Sequence, residues 1–320
     1  VIAIGVIVLP ILMSLGIPKA IAMFTFMGSV SAGMYLNPVL QFSQLRAFIC
    51  ASDEMPEFSF SWYTSHWGIY ALIISVVVVS VLTGIYLKIG KKSHAWAAQA
   101  APKNTQTEAP LIALILPIVP VVLKIWLDFS VIGGFVIAGF AALFLCGKMN
   151  KSFKENCQLV NKLYYDGVVD TAPLVGFLLT LPMFNTCASY ASPYFKEVLG
   201  GIMPTNEYVV CALFAALSIL GFFRGPLTLY GCGAATLGVL SSVGHFSVPF
   251  LFCVFTIPAT TVNVGSCITQ SWIAWGLAYT KVESRDYLKL SIPFAYICSI
   301  LLYILTAFTV TGLGPEWFLS

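Results

Sequence analysis

Apolar stretches of membrane length alternate with short polar interruptions along the whole chain. An α-helix needs ~20 apolar residues to cross a bilayer, so the pattern predicts an all-α polytopic membrane protein. Residues 1–13 read as a spanning helix or the end of one, stopped by Gly16 and Pro18. Residues 20–35 are apolar but carry Gly28, Ser29, Ser31 and Gly33, and Asn37-Pro38 follows. Residues 39–50 lead to an acidic loop at 51–66, and 67–87 form a clean span rich in Val and Ile. Residues 109–126, kinked by Pro117 and Pro120, pair with 129–146. Residues 147–166 are amphipathic and basic, and 167–190 are apolar but interrupted by Pro173, Gly176, Pro182 and Asn185. Residues 207–223 run up to Arg224-Gly-Pro226, 227–243 are Gly-rich, and 247–257, 272–279 and 290–310 complete the apolar set.

The most informative interruption is Pro258-Ala-Thr-Thr-Val-Asn-Val-Gly-Ser-Cys-Ile-Thr-Gln270, between two apolar runs. A bilayer core offers no water to free backbone groups, so non-helical backbone survives there only where it is buried in protein or lines a cavity. A broken helix rich in hydroxyl and amide side chains therefore predicts a binding site at membrane depth.

Composition agrees. The chain is 59% hydrophobic and 9% charged, against about 25% charged in soluble domains. Its 320 residues hold roughly eight to ten spanning or re-entrant segments. The net charge is +3 with no dense basic cluster, which excludes nucleic acid as a partner. The nine cysteines are scattered without a CxxC pair. Cys211, Cys232, Cys253 and Cys298 sit in apolar runs and read as small buried hydrophobes. No Cys/His spacing suggests a metal or cofactor, and no mid-span Ser/His or paired-Asp arrangement suggests an enzyme. The chain begins inside an apolar run without Met, so it reads as N-terminally truncated.

Residues 88–108 are the most hydrophilic segment and read as a cytoplasmic linker. They separate 1–87, the end of a first repeat with the first span of a second, from 109–320, the second-repeat transport domain. Lys88, Lys91, Lys92 and Lys103 on one side, and Lys148, Lys151, Lys154 and Lys162 on the other, are two spans apart. Both loops therefore face the cytoplasm, and the acidic loop at 51–66 faces outside. A multi-pass protein of a prokaryotic inner membrane is expected. A weak similarity between residues 9–16 and 237–244, each followed by a break at Gly28-Ser29 or Gly265-Ser266, points to duplication.

Several residues carry candidate chemistry. Arg224 is a cation at membrane depth, which costs at least ~2.5 kcal/mol unless it pairs or functions. It either attracts an anionic substrate or snorkels to lipid phosphate. Asn263, Gly265, Ser266, Thr269 and Gln270 form the polar break, where free helix N–H groups favour an anion; the alternative is helix–helix adhesion. Asn185-Thr186 stands either at the tip of a re-entrant hairpin or at an ordinary helix end. Asp170 is a candidate for a coupling proton or a solvated helix start. Ser29, Ser31 and Asn37 are ion-coupling candidates by position.

At Arg224-Gly-Pro-Leu-Thr228, then Asn263-Val-Gly-Ser266 about forty residues on, then the charged loop 281–289, the second half of the chain resembles the ion transporter superfamily of carboxylate carriers. That group includes gluconate permeases, citrate–metal carriers and C4-dicarboxylate carriers. The resemblance implies inverted repeats, re-entrant hairpins, substrate held at broken helices, and a homodimer. The Ser-Asn-Thr signature of some members is absent, which leaves subfamily and coupling ion open.

The expectation is an inverted-repeat secondary transporter of a small organic anion such as a carboxylate, driven by H⁺ or Na⁺ and needing no other cofactor. Arg224 and positive backbone ends near Gly265 hold the carboxylate, and Asn263, Ser266 and Thr269 its hydroxyls or the coupling ion. A cation/proton antiporter of similar architecture and a permease subunit of an ATP-driven transporter are the rivals.

Overall fold

Proline and glycine placement decides where the apolar stretches stay helical. In a computed structural model, the described residues are 1–49, 58–89, 110–127, 129–149, 152–199, 204–243 and 246–313. Among them the ordered elements are all helical. They pack as two units, Val1–Ala100 with Leu178–Ser320, and Ala101–Phe177.

In the first unit, α1 (Ile2–Ser14) and α2 (Lys19–Met34) are separated by a turn at Gly16, φ 81°. Gly28 and Ser29 lie inside α2, so the break expected there is absent. Gly28 instead sits against Val79, where an added Cβ would come within 2.8 Å; small size admits the neighbouring helix without interrupting its own. A wide π-helical stretch, Pro38–Ser43, leads into α3 (Gln44–Ile49). Then α4 (Phe60–Tyr63), a π turn (Thr64–Gly68) and α5 (Ile69–Ile89) run on as one apolar helix. α5 buries Ala71, Ser75, Val78, Val79 and Leu82 against α2 and the last helix. The opposite face exposes Ile69, Ile73, Val76, Val77, Val81 and Ile85.

In the second unit, Pro117 and Pro120 coincide with a 3₁₀ helix, Leu111–Ile118, passing into α6 (Val119–Leu127). α7 (Val131–Leu145) packs beside α6. α8 (Phe153–Leu199) is 47 residues long and contributes to both units. It is helical through Pro173, Gly176 and Pro182, against the expected interruptions. An internal proline removes one hydrogen bond, and neighbouring helices can re-satisfy the freed group.

The first unit continues with α9 (Glu207–Ala216) and a 3₁₀ segment, Ser218–Arg224, bent from it by 64°. α10 (Gly233–Val243), α11 (Val248–Ile257), a π-helical stretch (Pro258–Val264), α12 (Ser271–Thr280) and α13 (Ser284–Thr309) complete it. Its core is aromatic: Phe42 and Phe252 pack with Phe58 and Tyr63, and Tyr35 with Trp67.

Two described helices are long and apolar enough to cross a membrane, Phe60–Lys88 and Ser284–Thr309. The bent pair Glu207–Ala216 and Ser218–Arg224 makes a third if taken as one span. Among the cysteines, Cys211, Cys253 and Cys298 are buried as expected, but Cys232 is exposed. It belongs to the turn before α10, not to an apolar span.

Candidate functional site

Proline has no N–H, so a helix loses a bond where one enters and its register loosens. Both Pro38 and Pro258 open π-helical stretches, and such wide turns recur at functional sites. Pro258–Val264 extends α11 without a gap, and every residue from 258 to 267 is buried. The expected non-helical backbone over 258–270 is therefore narrower: the break is confined to 267–270.

The π stretch carries a buried polar row. Ser31 Oγ on α2 donates to the Thr260 carbonyl at 3.1 Å. Gln41 Nε2 donates to Thr260 Oγ1. Tyr35 and Thr261 share a hydroxyl hydrogen bond, and Thr261 Oγ1 also reaches Cys298 Sγ at 3.8 Å. Ser266 Oγ lies 3.2 Å from the Thr261 and Ser291 carbonyls, and Ser291 Oγ donates to the Ser266 carbonyl. Tyr287 O–H donates to the Gly265 carbonyl at 2.7 Å. Gly265 also lets Ser31 and Phe294 approach, because a Cβ there would stand 2.9 Å from Ser31 and 3.0 Å from the Phe294 ring.

Two amide oxygens in this region have no hydrogen-bond partner among the described residues: Asn263 Oδ1, in a residue 1% exposed, and Gln41 Oε1, in one 2% exposed. The buried hydroxyls of Tyr63, Ser218 and Ser299 also lack one. A buried unsatisfied acceptor costs about 1–3 kcal/mol, so these oxygens are ready ligands for a donor or cation.

The second cluster lies across the break. The 3₁₀ segment ends with Phe223 and Arg224 both left-handed, at φ 52° and 59°. That turn directs the Phe223 N–H to Cys267 Sγ at 3.1 Å. Arg224, half-buried, donates from Nη1 to the Tyr230 carbonyl at 3.0 Å and from Nη2 to Gln270 Oε1 at 3.1 Å. The Arg224 carbonyl accepts from the Cys232 N–H at 3.1 Å. It passes so near Gly231 that a Cβ there would fall 2.1 Å from the oxygen.

The polarity at Gly265 is opposite to the expected one. Gly265 lies at the C-terminal end of the α11–π stretch, where carbonyls concentrate and cations are favoured. The positive end belongs to α12, which starts at Ser271 with Gln270 as its cap residue. An anion is thus favoured at Gln270–Ser271 beside Arg224, and a cation at Asn263–Ser266.

The remaining candidates separate clearly. Ser31 joins the buried row, but Ser29 is exposed and bonds back to the Thr25 carbonyl. Asn37 caps the first π stretch, its Oδ1 accepting from the Val39 and Leu40 N–H groups. Thr269 is exposed and contacts Cys267 Sγ at 3.0 Å. Asn185 and Thr186 lie inside α8, at neither a hairpin tip nor a helix end. Thr186 is exposed, and the side chains of Asn185 and Asp170 lie outside the described residues. Sequence reasoning missed Tyr35, Gln41, Thr260, Thr261, Tyr287 and Ser291. Gln41 carried a usable signal, the first of two amides, with Gln44, soon after Asn37-Pro38 in a mainly apolar stretch.

Comparison with protein-family models, curated proteins and solved structures finds no match to this chain.

Proposed function

We propose that this chain is an ion-coupled secondary transporter of a small organic anion such as a carboxylate. The supporting observation is the break at 267–270, which separates a helix C-terminal end from a helix N-terminal end. Broken transporter helices use N-terminal ends for anionic substrate and carbonyl ends for Na⁺ or H⁺ coupling. Here the N-terminal end lies beside Arg224 and Gln270, and the carbonyl end bears Asn263 Oδ1, which has no partner among the described residues. Arg224 and Gln270 bind the carboxylate; Asn263, with Ser31 and Ser266 nearby in the buried row, serves the coupling ion. Function as an inverted-repeat, multi-pass homodimer in a prokaryotic inner membrane, with membership of the carboxylate-carrier superfamily, belongs to the same proposal.

The test is carboxylate uptake by the full-length protein in proteoliposomes, with imposed Na⁺ or pH gradients. Arg224→Ala is expected to abolish uptake, and Asn263→Ala to weaken its dependence on the driving ion. Uptake and ion dependence unchanged in both variants would falsify the site. Cation–proton exchange without an organic anion, or uptake that needs ATP after gradients collapse, replaces the proposal with one of its rivals.

A further inference from the structure

The second unit carries a groove outside the transport site. α7 and the start of α8 form its walls, with Val136, Phe140, Leu143, Val160, Leu163 and Tyr164 among the lining. An adjoining cavity of about 550 Å³ shares Phe140, Val160 and Tyr164 with the first, which is about 490 Å³. The two grooves therefore adjoin at these three side chains.

Two exposed lysines flank one end of the groove, with exposed Glu155 next to the second. The lining residues Met149 and Phe153 are next in sequence to these lysines, Lys148 and Lys154. Asn156 Nδ2 donates to the Met149 carbonyl at 2.9 Å and fastens this turn to α8. Exposed Tyr164 and Tyr165 lie two turns farther along α8. Tyrosines and lysines together are the side chains that sit at a membrane–water interface. Basic pockets beside membrane helices suit anionic head groups, and an apolar slot suits an acyl chain.

We propose that this groove binds an anionic phospholipid, with the phosphate at Lys148 and Lys154 and one acyl chain between α7 and α8. A zwitterionic lipid has the same chains without the net charge. A soluble phosphate has the charge but leaves the apolar slot empty. The inference rests on membrane association and is independent of the transport proposal.

Native mass spectrometry of the full-length protein, titrated with phosphatidylglycerol or phosphatidylcholine of matched chains, tests it. Two lysines near the head group predict a preference of about thirtyfold for the anionic lipid. The Lys148→Gln/Lys154→Gln double variant is expected to lose that preference. Lys162→Gln is expected to keep it, because at helical spacing Lys162 lies nearly opposite the lining positions Phe153, Val160 and Tyr164, whereas Lys154 shares a face with lining Cys157 and Asn161. Cys157 lines the slot and is exposed, so in the wild-type protein phosphatidylglycerol, and not glycerol phosphate, should slow its maleimide labelling. Equal retention of the two lipids, a preference surviving in the double variant, or unprotected Cys157 overturns the proposal. Protein stripped from membranes by alkaline carbonate overturns it together with its premise; protein that stays in the membrane but shows no lipid preference overturns it alone.

Discussion

Gly265 and Arg224 set tolerances that single substitutions can measure. An added methyl at Gly265 would meet Ser31 at 2.9 Å and the Phe294 ring at 3.0 Å. Both neighbours are fully buried, so neither can yield freely. Gly265→Ala is expected to destabilise by about 1–3 kcal/mol through overpacking, read as a lower thermal midpoint in detergent. Gly139 is the control, since a methyl there meets nothing within 4 Å. Gly139→Ala should be neutral or raise stability by up to about 1 kcal/mol through helix propensity. A fall of equal size in both variants would remove the packing argument. Arg224 poses a different question, because its guanidinium reaches the Tyr230 carbonyl and Gln270 Oε1 at once. Lysine keeps the charge but not the planar fork. Arg224→Lys should therefore lower carboxylate uptake by about one to two orders of magnitude, the worth of one charge-assisted hydrogen bond. Wild-type uptake in that variant would mean that charge alone suffices.

The elements that matter most are the two broken ones. Phe223 and Arg224 adopt consecutive left-handed conformations, each costing an L-residue about 1–2 kcal/mol. Phe223 is 61% exposed, so its ring returns little of that cost. Glycine keeps the N–H that reaches Cys267 and removes the steric penalty. Phe223→Gly is accordingly expected to raise stability by about 1 kcal/mol in a denaturant titration; a loss larger than that would show the ring to be a needed contact. The sequence announced this kink through Arg224-Gly-Pro, because proline and glycine act locally. The Arg224–Gln270 hydrogen bond was hidden, because its ends are 46 positions apart. Likewise Ser29 and Ser31 look equivalent in sequence, and only the packing of α2 on the π stretch buries the second. The π-helical winding of Pro258–Val264 is not legible in the sequence for a related reason. Proline and hydroxyl side chains weaken an α-helix, yet a buried chain must still pair its backbone groups, and the wider π turn does so without leaving the helix axis. Polarity at Gly265 followed from where the break fell, and a shift of a few residues exchanged the carbonyl end for the N–H end.

At the scale of the whole molecule, the outward face of α5 separates a membrane protein from one merely rich in apolar residues. Ile69, Ile73, Val76, Val77, Val81 and Ile85 are all 40–60% exposed there, along a helix apolar over Phe60–Lys88. In water such a stripe would promote association; in a bilayer it faces lipid at no cost. Val77 is central to the stripe and 53% exposed. If lipid covers it, Val77→Lys places a charge near the middle of a span, at about 2.5–3.5 kcal/mol for insertion. If water covers it, the same change falls within about 0.5 kcal/mol of neutral. Membrane-fraction abundance after alkaline extraction distinguishes the two, with a severalfold drop expected for Val77→Lys. Val79→Lys fails either way, because Val79 packs in the core at 3% exposure, and so it calibrates the loss caused by misfolding. Equal membrane abundance of Val77→Lys and the wild-type protein would place that face in water and remove the premise shared by the proposed transport site and the proposed lipid groove.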